Sequence, residues 1–270
     1  MALSRLKLGF ESRWGQQHTR AWWIRSAGLV VFLALMTGCP STAQRQLEAG
    51  HAAAKAGQWS KALEAYQAAS SAEPSNAKAR ALVGVAAVSM GNGALAATAF
   101  SEALALDATL VEARIGLAQL AVEGADAGAA LSLVETQSVP QARLVRARAL
   151  LLRGGADDAS QALEEAQAAL GQAPTSPGRY LEASALLALG RYAEAQAAFE
   201  GLERADTASA LGPYGLARLA AAQRRGTDAL LYLKAARSRA GDRWSAQAVS
   251  KDPAFAFLAG AAGFTEVVGP

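Results

Sequence analysis

One alanine recurs through this chain at a nearly constant interval. Ala62, Ala96, Ala130, Ala162, Ala195 and Ala229 follow one another at a period of about 34 residues, with the step into Ala162 slightly short. A fixed period of that length calls for repeated helix pairs stacked in a row, because each pair buries its apolar face only against its neighbours. Composition agrees with that reading: 52% of the residues are hydrophobic but only 6% aromatic, so the apolar mass is mostly Ala and Leu. Alanine is the best helix former and lets backbones approach closely. So apolar a chain is not a disordered one.

Other positions keep step with the central alanine. Four residues on come Tyr66, Phe100, Val134, Ala166, Phe199 and Leu233, and seven on come Ala69, Ala103, Gln137, Ala169, Leu202 and Ala236. Five before come Gly57, Gly91, Ala125, Asp157, Gly190 and Arg224; twelve before come Gly50, Gly84, Ala118, Leu150, Ala183 and Ala217. Small residues at Gly50 and Ala62 let two helices meet while Tyr66 fills the space beside them. Gly57 suits the left-handed turn that ends a first helix, and Pro74 follows the second. Asp157 and Asp158 after Gly154-Gly155, and Thr227 or Asp228 after Gly226, read as helix N-caps. A catalytic carboxylate pair is the sharper but weaker reading of Asp157 and Asp158.

This pattern, with Trp59 and Gly190-Arg191-Tyr192 in support, resembles the tetratricopeptide repeat over about residues 43–240. The resemblance implies an all-α fold, a right-handed α-solenoid of about six helix pairs with a C-terminal capping segment. The third repeat departs most: Val134 and Gln137 replace the packing residues, Pro140 is expected to shorten the second helix, and the next central alanine arrives early. A local irregularity is expected there. Pro174–Gly178 reads as a loop between repeats. After the sixth repeat, residues 243–248 read as helical and Asp252-Pro253 as the start of another short helix. Lys251–Phe264 resembles the tails that cap many bacterial repeat proteins, with Phe255, Phe257, Leu258 and Phe264 covering the last pair; a binding segment for another protein is the other reading.

The N-terminal stretch has a different character. Met1–Arg25 is basic, and Ser26–Gly38 is an almost unbroken apolar run that ends in small residues. As a helix it would span about 20 Å, short of the roughly 30 Å hydrocarbon core. Leu35-Met36-Thr37-Gly38-Cys39 resembles the lipobox of bacterial lipoproteins, which implies a diacylglyceryl group on Cys39 and cleavage after Gly38. A signal anchor with an incidental free cysteine is the alternative. Several buried acyl chains anchor far more firmly than one, at about 0.8 kcal/mol per CH₂. Pro40 follows in place of the Asp associated with inner-membrane retention, which allows an outer-membrane address facing the periplasm. The expected organisation is a signal peptide over 1–38, a lipidated tether over 39–42, the repeat array over 43–241 and a cap or tail over 242–270.

Charge argues against a nucleic-acid partner. Five of the 26 basic residues and one of the 23 acidic residues fall in residues 1–38, leaving 21 against 22 beyond them. Chemistry is equally hard to place. Past Cys39 the only histidine is His51, and Cys39 is the sole cysteine, so a Cys–His nucleophile pair and a multi-His or Cys zinc site are excluded within one chain. There is no nucleophile-elbow sequence and no GxxxxGK[ST] phosphate loop. An all-carboxylate or Ser–Lys site stays open on sequence alone. The expectation is a protein that is not an enzyme and needs no cofactor.

Binding is the function that remains. In tetratricopeptide-repeat proteins the first helix of each pair lines a concave groove, and matching positions puts His51, Lys55, Val85, Val88, Gln119, Tyr180, Ser184, Tyr214 and Arg218 on that face. This mixture suits an extended peptide or an inserted helix from a protein partner; for each residue alone, packing between repeats is the plainer role. Leu47, His51 and Leu82 stand where some family members carry groups that grip C-terminal carboxylates, so that specificity is not supported. Arg218, Arg224, Arg225, Lys234, Arg237, Arg239 and Arg243 face only Asp228 and Asp242 in their stretch, a solvated helical face or a surface for an acidic partner or anionic polymer. Lipobox and repeats together resemble pilotins, which bring type IV pilus secretin subunits to the outer membrane. They also resemble lipoproteins of the β-barrel assembly machine. A recruiter or regulator of a peptidoglycan-remodelling enzyme is the third reading.

Overall fold

The computed structural model describes residues 41–268. Residues 1–40, and with them the leader and Cys39, lie outside the described residues. Six consecutive helix pairs make the body: α1 (Thr42–Lys55) with α2 (Trp59–Ala72), α3 (Ala77–Ser89) with α4 (Gly93–Leu106), and α5 (Val111–Glu123) with α6 (Ala127–Val134). They continue as α7 (Pro140–Arg153) with α8 (Ala156–Gln172), α9 (Ser176–Ala188) with α10 (Tyr192–Ala205), and α11 (Leu211–Ala222) with α12 (Gly226–Ala240). A tail follows: a 3₁₀ turn at Gly241–Arg243, α13 (Ala246–Lys251), a second 3₁₀ segment at Pro253–Leu258, and α14 (Ala262–Val268). No strand occurs among the described residues, and the fold is an α-solenoid.

Local chemistry sets each break. Gly57, Gly91 and Gly190 have φ of 71–73°, and Ala125 and Arg224 adopt the same left-handed conformation at 61° and 59°. The N–H of the next residue then reaches back five positions, as from Gln58 to the Ala53 carbonyl at 2.9 Å and from Arg225 to Ala220 at 2.8 Å. That bond satisfies a carbonyl left over at the helix end and turns the chain sharply into the second helix. Pair four differs from expectation. Its left-handed residue is Gly154, at φ 73°, and Asp157 lies inside α8. Asp157 and Asp158 sit in the first turn of α8 without capping it, where negative charge favours the helix dipole. Thr227 and Asp228 likewise lie within α12, which starts at Gly226. Side-chain caps come instead from Asn76, Asn92 and Asp126, each accepting from an N–H three residues on at 2.9–3.1 Å.

The six central alanines are all fully buried, as are Tyr66, Phe100, Val134, Ala166, Phe199 and Leu233 four residues on. The rings need backbone without side chains opposite them. A Cβ on Gly84 would lie 2.7 Å from the Phe100 ring, and one on Gly116, in the next pair, 2.4 Å from the same ring. At Gly215 the distance to Phe199 would be 2.1 Å. Each ring therefore locks its own pair and the following one together. Buried clusters straddle successive pairs rather than merging into one core. First helices touch in sequence, α3 to α5 to α7 to α9 to α11, more closely than second helices do. The row therefore curves toward its first helices.

Pair three carries the expected irregularity, with a different cause. Helix α6 has eight residues and stops at Val134, six residues before Pro140, which is the first residue of α7. Gln137 falls outside the helix and does not pack like its counterparts Ala69 and Ala103. Arg146 of α7 takes over. Its guanidinium donates to the carbonyls of Val134, Glu135 (3.0 Å) and Gln137 (2.9 Å), and to Glu165 Oε1 at 2.6 Å. Glu165 Oε2 also accepts from Arg143 at 2.9 Å. A cation thus closes a helix end that lacks the residues to continue. Pro174–Gly178 is not a loop throughout: Thr175 caps α9 and Pro177 lies in its first turn.

Three variants test this packing by thermal and urea denaturation. Gly215→Ala is expected to destabilise the protein by about 2 kcal/mol through overpacking against Phe199. Gly201→Ala, with nothing within 4 Å of the new Cβ in mid-helix, should stabilise it by roughly 0.5–1 kcal/mol. Arg146→Met should cost on the order of 2 kcal/mol, because three carbonyls and Glu165 lose a buried partner while Arg143 still holds the carboxylate.

Candidate functional site

The inner face is read most directly eleven residues before each central alanine: His51, Val85, Gln119, Leu151, Ser184 and Arg218. Three regions follow along it. At the first pair, His51 is exposed and its Nδ1 pairs with the Tyr66 hydroxyl at 3.0 Å, the two rings meeting edge to face at 5.5 Å. Lys55 is exposed in the last turn of α1, where its charge suits the helix C-terminus. Neither lines the groove formed by the next candidates.

In the middle the structure brings three candidates together. Val85, Val88 and Gln119 line one open groove of about 720 Å³ that crosses α3, α5 and the start of α7. Ile115 and Val139 add apolar surface, and Lys78, Asp107 and Glu112 mark its edges. Val85 is 41% exposed and Val139 38%. These are large apolar side chains left facing solvent within a concave surface, the character of a peptide or helix seat.

At the far end two of the remaining four candidates, Tyr214 and Arg218, meet the chain's own tail. The Tyr180 and Tyr214 rings lie 6.5 Å apart, and Phe255 continues the series 5.9 Å beyond Tyr214. The Tyr214 hydroxyl donates to Asp252 Oδ2 at 2.7 Å, and Arg218 Nε approaches the same oxygen at 3.3 Å. Burial, and then the neighbouring Asp252 carboxylate, push the Tyr214 hydroxyl far above its ordinary pKa, so it remains a donor. Ser184 is 6% exposed and its Oγ has no hydrogen-bond partner. Sequence reasoning named the Asp-Pro start of the tail but not its contact with Tyr214 and Arg218. The signal was present in the spacing, since Ser184, Arg218 and Asp252 follow one another at the period of the central alanines. Phe255, Leu258 and Phe264 are buried against the last pair, whereas Phe257 is not a covering residue and stays 38% exposed.

The basic stretch is largely matched from within. Arg225 pairs with Asp228 at 3.0 Å, Lys234 with Glu266 at 3.1 Å, and Arg239 with Glu203 at 2.7 Å. Arg237 donates to the carbonyls of Glu266 and Val267. Asp158 accepts from Arg153 Nε at 3.0 Å and Nη2 at 2.6 Å, a side-on pair that keeps its carboxyl below the usual range and gives it a fastening role. Among the described residues no three His, Cys, Asp or Glu side chains gather to hold a metal ion, and no helix is long and apolar enough to cross a membrane.

The tetratricopeptide repeat family model matches residues 47–111 and 180–243. These two segments are tetratricopeptide repeats. A thermophilic tetratricopeptide-repeat protein of Thermus thermophilus is similar in structure, with a TM-score of 0.55 at 20% identity, over 61% of this chain and 91% of that one. A tetratricopeptide-repeat protein of Parabacteroides merdae reaches 0.56 at 17% identity, over 74% and 80%. The Cut9-Hcn1 assembly of the APC/C reaches 0.65 at 16% identity, over 78% of this chain and 42% of that one. At these identities the likeness is one of fold. No curated protein sequence matched the chain.

Tyr214→Phe removes the donor that holds Asp252. Expected is a loss of about 1 kcal/mol and faster amide hydrogen exchange confined to residues 246–258, with the first five pairs unchanged.

Proposed function

We propose that this protein is a binding scaffold that presents the groove across α3, α5 and α7 to an apolar segment of a protein partner. One observation carries the reading: Val85, Val88, Ile115 and Val139 share a concave surface and remain partly or well exposed. Polar neighbours such as Gln119 and Gln141 at the rim give an extended chain or helix hydrogen-bonding groups. The mechanism is passive. A row of tetratricopeptide repeats holds its inner face rigid, so a partner binds without the scaffold first paying to order itself.

The address is proposed from sequence. Leu35–Cys39 supports lipidation at Cys39, with the array held close to a bacterial outer membrane on its periplasmic side. On that reading the scaffold assists assembly of an outer-membrane complex, of which a type IV pilus secretin is the leading candidate; β-barrel assembly and recruitment of a peptidoglycan-remodelling enzyme are the alternatives.

Crosslinking and pull-down from intact membranes tests both halves. Wild-type protein should enrich a discrete envelope partner, and Val85→Asp, which puts a charge in the groove without touching the core, should reduce that recovery about tenfold. Equal recovery would remove the groove from the account. Cys39→Ala should move the protein from the membrane to the soluble envelope fraction; unchanged fractionation would remove the lipid anchor. Loss of secretin multimers on deletion supports the pilus assignment, and broad depletion of outer-membrane proteins transfers it to barrel assembly.

A further inference from the structure

The end of the inner face formed by α11 and the tail holds a second, chemically distinct pocket. It encloses about 390 Å³ between Arg218, Ala221 and Arg224 on one side and Pro253, Ala256 and Phe257 on the other. Two arginine side chains therefore line one small cavity together with Ala, Pro and Phe. Arg224 stands apart from Arg225, Lys234 and Arg239, which have carboxylates of their own. Among the described residues no carboxylate pairs with Arg224; its guanidinium lies 5.0 Å from the centre of the Phe257 ring. Arg218 has Asp252 at 3.3 Å, yet its buried Nε makes no hydrogen bond. Asp252 in turn is shared with the Tyr214 hydroxyl. The balance of Arg218, Arg224 and Asp252 is one positive charge.

The backbone at Arg224 adds an independent reason. It is left-handed at φ 59°, in the position where three other repeats carry glycine. Ala125 in the third pair is strained in the same way, but at Arg224 the strained backbone carries a long charged side chain. The strain places a guanidinium that lacks a carboxylate partner among the described residues beside the pocket and over an exposed aromatic ring.

We propose that this pocket binds a carboxylate of an acidic peptide segment, received between Arg218 and Arg224, with an adjacent apolar side chain of the same segment against Phe257. A carboxylate received there would balance the positive charge that Asp252 leaves over, through a charge-assisted contact with Arg224 and the exposed part of Arg218. The cavity holds one or two side chains, and its walls are Ala, Pro and Phe, which favours a peptide over a strongly hydrated polymer. The proposal rests on the scaffold reading but uses a different surface from the Val85 groove, so each fails separately.

The test is fluorescence anisotropy with a dye-labelled peptide of four Asp–Phe units, titrated with the full chain in detergent. The wild type should bind it, and the Asn–Phe version should bind about tenfold more weakly. Arg224→Gly is the decisive variant. Glycine suits the left-handed backbone, so melting temperature should hold or rise while affinity falls about tenfold. Arg218→Gln should weaken binding to a similar degree, and Arg225→Gln and Val85→Asp should leave it unchanged. Equal affinity for wild type and Arg224→Gly would overturn the proposal. So would binding of polyglutamate with the same affinity in both, which would reduce the site to diffuse positive charge.

Discussion

The geometry of this molecule depends on aromatic rings set against backbone that has no side chain. Phe100 lies between Gly84 of its own pair and Gly116 of the next, and Phe199 meets Gly215 sixteen residues on. None of these glycines has room for a Cβ, so ring thickness fixes how far apart the helices stand. At the fourth pair Ala166 holds that position with a smaller spacer. A chain with few aromatic residues can therefore still be specified in detail. Its rings sit at the joints, where one residue registers two interfaces at once.

That arrangement makes stability local. Each buried cluster joins neighbouring pairs, and a weak pair has to be repaired on the spot because no central core stands behind it. Pair three shows how. Its second helix ends six residues before Pro140, and Gln137 stands outside it where Ala69 and Ala103 pack in other pairs. In its place Arg146 gathers three carbonyls and Glu165, with Arg143 on the other carboxylate oxygen. A half-buried cation is tolerated when its donors are used and a carboxylate stands beside it. Polar closure here substitutes for hydrophobic closure, and the row continues through α7 without a gap in its first-helix contacts.

What could be read in advance was whatever repeats. The central alanines, the residues four on, and the left-handed glycines follow from a period and from the steric demands of a helix hairpin, so their burial and backbone angles were legible. Contacts that belong to one place in the row were not. Gly116 and Gly215 pair with a ring in the preceding repeat, a relation that within-pair alignment does not display. Asp157 aligned with the glycines by counting, but the turn at Gly154 and Gly155 moved the break three residues upstream. Pro140 looked like the residue that ends α6 because proline stops helices; it also starts them, and here it starts α7. At the inner face, period placed the candidates on first helices, but exposure was decided by neighbours: Tyr66 engages His51, and the tail engages Tyr214 and Arg218.

The tail explains why the two ends of the inner face differ. Asp252 follows Arg218 by one repeat period, as Arg218 follows Ser184, and it takes the place a seventh first helix would offer. The segment is too short and too broken to be a full repeat, yet it keeps the register. Phe255, Leu258 and Phe264 cover the apolar end while Asp252 presents a charge inward. Capping and groove formation are thus one event: burying those rings is what brings Asp252 to Tyr214 and Phe257 to Arg224. The cap is fastened to α11 as well as to α12, so a solenoid that must end somewhere ends by shaping its own inner face. Among the described residues the middle of the row has no such internal occupant, and there Val85 and Val139 stay open to solvent.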